Sequence, residues 1–570
     1  MQKIQKILSA PGVVDVSGAP GGYDALILAN VIGKGVNTGV FVARDDIHLA
    51  SMNEALGFFA PHVERLEFPA WDCLPYDRAS PNSALVGQRI DTLTRLLEPA
   101  TGPRALLTTV SALLQRVVPR QAFAGATLSA SAGDRLEPDA LVAFLVANGY
   151  GRAETVMEAG EFAIRGGIVD VYPSGVEHAL RLDFFGDELD SIRTFDPIDQ
   201  RTTGKQQQFV IRPISEVPLS EAAQSRFRSG YRALFGSAGS DDPLYEAVSA
   251  GHRHIGMEHW LPLFYEKMET LLDYAPGAPV LLDHQWQQAL DARLDLIGEY
   301  FIARRTIADG KSGDGVPYLP IPPDTLFLDV DSWDQQLTGH PVGHLSPFVA
   351  PEGESGQRVH MNCKQGRDFA DARLSQELNV FDVLADHLGE QQKQGRRVLL
   401  AGYTRGSLER LETVMREHGI NGLARVDDWD QAQALSAKAV ALGVLGIERG
   451  FVTDDLCLIG EQDILGDRLS HAAKRKIRPE NFIAEASSLH AGDLVVHIEH
   501  GIAQYDGLEA IDVSGAPHDC LRLLYEGGDK LFLPVENIEL ISRYGSEQAG
   551  GHLDRLGGAG WQARKARMKE

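Results

Sequence analysis

Cysteine is scarce: only four occur in 570 residues, and Cys73, Cys363, Cys457 and Cys520 stand far apart with no CxxC pair. That spacing excludes a disulfide framework and a zinc site, leaving four reduced structural thiols. No apolar run approaches the roughly 20 residues needed to cross a bilayer. The start, MQKIQKIL, has neither the apolar core nor the cleavage site of a signal peptide, so the chain reads as soluble and cytoplasmic, with no membrane partner. Positive charge is short as well. Lysine and arginine number 54 against 79 acidic residues, for a net charge of -25, which opposes general adhesion to nucleic acid. Neither GxxxxGK[ST] nor an Asp-Glu box occurs. What remains is an ordinary globular composition, 44% hydrophobic and 23% charged, and a length fit for about three to five domains.

Residues 160–202 are the densest in strand and turn signals. Runs of β-branched and aromatic residues are broken by Pro173-Ser174-Gly175 and by Gly186-Asp187, which predicts an antiparallel meander. Alternation puts Leu180, Leu182 and Phe184 on one face and Arg181, Asp183 and Phe185 on the other. An aromatic ring on a polar face needs cover. A partner protein or another part of this chain would serve equally at this point.

The runs FAIRGGIVDVYPSG, LRLDFFGDELDSIR and FDP resemble the small β-domain shared by UvrB, the excision-repair helicase, and the bacterial transcription-repair coupling factors. The resemblance implies docking onto the damage sensor UvrA. It puts Arg165, Arg181 and Phe185 at the family's UvrA contacts.

From Val13 onward the pattern is α/β. Val13 to Val16 is a short apolar strand, residues 17–23 form a Gly-rich turn, and an apolar helix follows from Asp24. This is the frame of a phosphate-binding loop, without its chemistry. Laid on GxxGxGKT through Gly18 and Gly21, Asp24 replaces the lysine and Ala25 the hydroxyl, and an aspartate repels a triphosphate. The following ALILANVI is similar to the UvrB helix, which suggests a decayed copy of its first motor lobe. The segment FPAWDCLPYDRASPNSALVGQR resembles the coupling factors rather than UvrB, whose long aromatic hairpin would be inserted just after it. Trp71 and Tyr76, able in principle to stack on bases, read as packing residues between prolines.

A helical region spans about 215–305. His252, His254, Glu258 and His259 lack the HExxH spacing of a shared helix face, so no metal is expected. The strand after LLDY ends Leu281-Leu282-Asp283-His284. In UvrB the matching strand carries the magnesium-binding Asp-Glu pair; here the glutamate is missing. Gly18, Gly21, Asp24, Ala25, Asp283 and His284 therefore mark an inactive nucleotide site, with no catalytic residue and no cofactor.

Residues 347–366 are rich in proline and glycine and read as a linker. A compact α/β unit follows, with a helix over 374–394, a strand at 397–401, a helix over 407–418 and strands near 439–444 and 455–459. The glycine turn at 402–406 reads as a plain connection. Residues 460–489, with Lys474, Arg475, Lys476 and Arg478, read as an exposed basic linker open to DNA or an acidic surface. Short strands recurring through 493–544 predict a small five-stranded barrel. His497 and His500, three apart on one strand, are expected on opposite faces. LHAGDLVVHIEHGIAQYDGL and KLFLPVENIELISRYG closely resemble the RNA-polymerase-interacting domain that the coupling factors share with CarD-type transcription factors. The alternating run after Gly507 puts Glu509, Ile511 and Val513 on one face and Leu508 on the other. It reads as a sheet edge, and by resemblance as the contact with the polymerase β subunit.

The order of modules identifies a resemblance to the coupling factors along nearly the whole chain. The expected fold is multidomain α/β and β. A degenerate RecA-like lobe occupies 1–122 and 214–345, with an inserted UvrA-binding β-domain at 123–213. A linker at 346–366, a small α/β domain at 367–460 and a basic linker at 461–488 follow. A Tudor- or SH3-like barrel at 489–545 precedes the start of a connector helix at 546–570. The resemblance implies a monomeric adaptor between stalled RNA polymerase and UvrA. DNA is contacted weakly, or mainly by an ATP-driven translocase that this chain does not contain. A catalytic UvrB-like helicase and a CarD-like regulator are the rival readings.

Overall fold

The structure is a computed structural model that describes residues 11–466 and 492–543, apart from internal gaps at 33–35, 124–125, 174–175, 177, 237–241, 310–317, 349–356, 376–377, 498–499, 514–515 and 535–540, together with residues 553, 555 and 556. The chain divides into two compact units, one through Gly466 and one from Asp467 onward.

In the first unit, a seven-stranded sheet runs in the order Gln357–His360, Gly12–Ser17, Pro341–Ser346, Val280–Leu282, Thr38–Ala43, Arg104–Thr109, Glu64–Phe68. Every pairing is parallel. Parallel strands are covered on both faces, and alternation divides their side chains between two cores. Val40, Val42, Leu106, Val280 and Leu282 join a core with the helical region, including Phe227, Trp260, Phe264 and Trp333. Phe41, Ala43, Leu107 and Leu281 face the helices Tyr23–Val31 and Asp46–Phe59.

Those two helices are shared. A second sheet, Lys364–Gln365, Phe451–Val452, Leu456–Gly460, Arg397–Gly402, Val440–Val444, Leu423–Val426, turns Leu399, Ala401, Ala441 and Leu458 onto their far side. Its opposite face packs on the helices Val380–Lys393 and Arg405–Glu417. A Cβ on Gly443 would stand 2.7 Å from the Phe58 ring, so the absent side chain permits this close approach of helix and sheet.

Two expectations are corrected here. The stretch read as a linker at 346–366 supplies the strand Gln357–His360, parallel to Gly12–Ser17, and Lys364–Gln365, antiparallel to Phe451–Val452. Val359 and Cys363 are buried in the shared core, and that burial holds the strands where composition suggests only flexibility. The helix expected over 374–394 begins at Val380, because Asn379 accepts a capping hydrogen bond from Phe381 N at 2.9 Å; a separate short helix covers Ala370–Leu374.

The meander is a six-stranded sheet, Thr202–Gln206, Glu188–Phe195, Ala179–Phe185, Ile168–Val171, Glu161–Arg165, Gly151–Arg152, antiparallel except for its last pair. Leu180 and Leu182 are buried against Leu141 and Leu145 of the helix Pro138–Ala147, with Phe184 packed at the margin.

Among the described residues, the second unit holds five antiparallel strands in the order Lys530–Pro534, Ala516–Leu524, Gly501–Val513, Leu494–His497, Ile541–Arg543. Val495, Ala503, Tyr505, Leu521 and Leu523 form its core. His497 ends its strand and His500 lies beyond it, so the two rings do not point apart as a continuous strand would require. They stack with centroids 4.6 Å apart. The basic run at 474–478 lies outside the described residues.

Candidate functional site

Three places collect the sequence-derived candidates. The first lies where Gly12–Ser17 meets the helix Tyr23–Val31. A phosphate-binding loop presents free backbone N–H groups. Here Gly18 N donates to Phe348 O at 3.0 Å and Ala19 N to Ser346 O at 2.9 Å. Gly22 turns the chain with φ 85°, and Tyr23 packs on Phe451 with centroids 5.3 Å apart. Asp24 accepts from Ala25 N at 2.9 Å, while Ala25 is buried and Gly21 is exposed. Burial, and then the neighbouring Asp283, push the Asp24 carboxyl up to about 6. Asp283 accepts from Arg44 N at 3.2 Å, and its own burial raises its pKa despite that bond. His284, held below its ordinary pKa by burial, packs edge-on to Phe348. Asp24 and Asp283 thus lie close together at this loop, and the Ser346 and Phe348 carbonyls that occupy its donors come from a segment remote in sequence.

The second place is the polar face of the meander. Phe185 is 83% exposed, so among the described residues no intramolecular cover exists. Arg165 donates to the Glu154 carbonyl at 3.0 Å and the Thr155 hydroxyl at 2.6 Å. It sits on the same face, since Arg165 opposes Ile168 and Ile168 opposes Asp183. Arg181 is placed differently. Its Nε and Nη2 donate to the two oxygens of Asp170 at 2.7 and 2.9 Å, and its guanidinium lies 4.5 Å over the Phe195 ring. Only 16% of its side chain is exposed, and 2% of Asp170's. Hydrogen bonding to Asp170 raises the Arg181 pKa further. Arg193 and Asp183 form a second pair beside it, at 2.9 and 2.8 Å. Alternation marks Arg181 as an outward cation, but only the cross-strand register reveals the carboxylate that fixes it.

The third place is the long strand of the second unit. Gly501–Gln504 pairs with Leu494–His497, and Gln504–Val513 pairs with Ala516–Leu524. Beyond Gln504 the first partner ends, so residues 508–513 have a side with no strand partner among the described residues. A bulge at Asp506 interrupts the register, and Arg522 clamps it, donating to Asp506 at 2.7 Å and Glu509 at 2.6 Å. The side chains of Leu508, Ile511 and Val513 lie outside the described residues; the backbone places Ile511 opposite His518.

The histidine-rich stretch is divided: His252 is exposed, His254 and Glu258 are half-buried, and His259 packs inward. His259 is buried edge-on to Trp71 with its pKa lowered to about 4 by burial, and among the described residues no cluster of three ligands could hold a metal. Trp71 donates to Glu216 at 2.9 Å, and Tyr76 is buried beside Phe301. Arg89, buried against Phe68, shares Glu216. No pattern in the sequence pairs these distant residues.

Two family models match the chain: the UvrB interaction domain over residues 128–216 and the CarD-like/TRCF RID domain over 489–545. The chain is 31% identical to the transcription-repair-coupling factor of Escherichia coli (strain K12), covering 96% of this chain and 46% of that protein. It is 30% identical to that of Haemophilus influenzae over 96% of the chain and 46% of the relative. For Rickettsia prowazekii the identity is 29% over 93% and 45%. The chain thus spans about half the length of the curated relatives it matches.

Proposed function

We propose that this chain, corresponding to part of a transcription-repair coupling factor, acts as the adaptor that joins stalled RNA polymerase to the excision-repair machinery. The observation that carries this reading is the presence of both matched modules on one chain, the UvrB interaction domain and the CarD-like domain. The β-sheet of residues 128–216 captures UvrA, with Phe185 and Arg165 at the contact. The five strands of the second unit curl into a small Tudor- or SH3-like barrel. Its open strand at 508–513 takes up the polymerase β subunit through backbone hydrogen bonds, with Leu508, Glu509, Ile511 and Val513 setting specificity.

Catalysis is left to the rest of the factor, an ATP-driven DNA translocase. In this chain the frame of the motor lobe is retained as a packing layer. Its loop donors are engaged by Phe348 O and Ser346 O, and Asp24 with Asp283 presents carboxylates where triphosphate oxygens would lie. This argues against a UvrB-like helicase. A purely CarD-like regulator leaves the first unit without a role.

The experiment is a bridging assay. Immobilised RNA polymerase is expected to retain UvrA only when this chain is added, and deletion of 128–216 should abolish UvrA retention while polymerase binding persists. Capture of neither protein by the intact chain overturns the reading.

A further inference from the structure

We propose that the UvrA-docking surface is a transverse row, Phe185–Glu188–Arg135, flanked by Arg165, and that it fits an apolar socket bordered by carboxylates. The proposal rests on the adaptor reading above. It adds Arg135, which lies far from the meander in sequence, and withdraws Arg181 from direct contact.

The row follows from register. Phe185 stands opposite Glu188 across the hairpin, and Arg135 forms a bridge opposite Glu188 on its other side. Directly opposed residues of antiparallel segments project to the same face, about 5 Å apart. Ring and guanidinium therefore share the outer face with the Glu188 carboxylate between them. The segment carrying Arg135 is pinned along the start of the strand Glu188–Phe195. Gly133 N donates to Leu189 O at 2.7 Å, Leu189 N to Asp134 O at 2.9 Å, and Leu136 N to Asp187 O at 2.8 Å. Its backbone is thus preorganised, which lowers the ordering cost of any contact Arg135 makes.

Accessibility and charge indicate the partner. The Arg135 side chain is 85% exposed, and its ion pair with the exposed Asp187, at 3.4 Å, is of the solvent-screened kind that contributes little and exchanges readily. Arg165 lies in the adjacent row with only neutral acceptors, the Glu154 carbonyl and the Thr155 hydroxyl. Among the described residues it has no carboxylate partner. Two exchangeable cations on either side of an exposed ring call for carboxylates around an apolar depression. Glu188, between ring and Arg135, requires a donor at the matching point of the partner and so fixes the orientation of docking.

Arg181 lies four residues down the strand and is held by Asp170 and Phe195. It positions the face without forming part of the row.

The measurement is UvrA affinity for the full chain at low and high salt, with melting temperatures recorded alongside. Arg135→Glu should weaken binding about tenfold at low salt and less at high salt, as for a charge at an interface rim, while Arg135→Lys stays near wild type. Phe185→Ala should weaken binding at both. Wild-type affinity for Arg135→Glu with impaired Phe185→Ala overturns the row but leaves the adaptor reading; wild-type affinity in both overturns the reading of the module itself. Impaired Arg135→Glu with wild-type Phe185→Ala also overturns the row. If Arg135→Glu lowers the melting temperature, Arg135→Ala is scored by the same outcomes.

Discussion

Arg181 and Asp170 close a two-point ion pair, 2.7 and 2.9 Å long, on the outer face of the meander, with the carboxylate almost wholly enclosed. Such a pair resists the removal of one partner more than of both, because a lone buried charge loses its compensation.

Arg181→Ala is therefore expected to destabilise the chain by about 3 kcal/mol, read as a lower denaturation midpoint of the unit through Gly466. The double variant Arg181→Met with Asp170→Asn should recover a substantial part of that loss. A single variant as stable as wild type contradicts the role assigned to the pair.

Asp24 makes stability depend on pH in the direction opposite to most carboxylates. Its folded pKa is about 6 against an ordinary 3.8, because of burial and then Asp283. The folded chain therefore holds this proton more tightly than the unfolded one. Stability is intact below about pH 4, declines as pH rises toward 6, and stays lower above that, by up to about 3 kcal/mol. Asp24→Asn should accordingly raise the denaturation midpoint near neutral pH and change little near pH 4. Equal effects at both pH values count against the argument.

Restoring the lost loop chemistry should not restore nucleotide binding. Asp24→Lys with Ala25→Thr supplies the missing lysine and hydroxyl, but Gly18 N and Ala19 N still donate to Phe348 O and Ser346 O. Titration with a fluorescent ATP analogue should show no saturable binding for wild type or for the double variant. Micromolar binding by the double variant would show that the carbonyls yield to phosphate.

Ile511→Arg in the full chain should abolish capture of the polymerase β subunit while UvrA capture persists. Circular dichroism and the melting curve show whether the five-stranded unit remains folded. Undiminished capture places the polymerase contact on another edge, and unfolding assigns Ile511 to the core.

The local frame of this protein was legible in its sequence. The strand at Val13–Val16, the glycine turn and the helix after it follow from adjacent residues, as do the two faces of the meander strand at 180–185, since pleat alternation is a local property of the chain. The aspartate at the lysine position of the loop, Asp24, was also readable, because it depends on which residue stands at one position. The two modules were recognisable from contiguous runs, and the UvrB interaction and CarD-like models match those same regions.

Tertiary structure decided the rest through partners remote in sequence. The proline- and glycine-rich stretch after Ser346 became strands of two sheets because Val359 and Cys363 found a shared core. Arg181 became a structural cation because register set it against Asp170, and His500 met His497 because the strand ended between them. Arg135 reached the row of Phe185 through a bridge to Glu188. Each outcome depends on strand pairing and burial between distant segments, and local periodicity records only which face a residue points to, never what stands opposite.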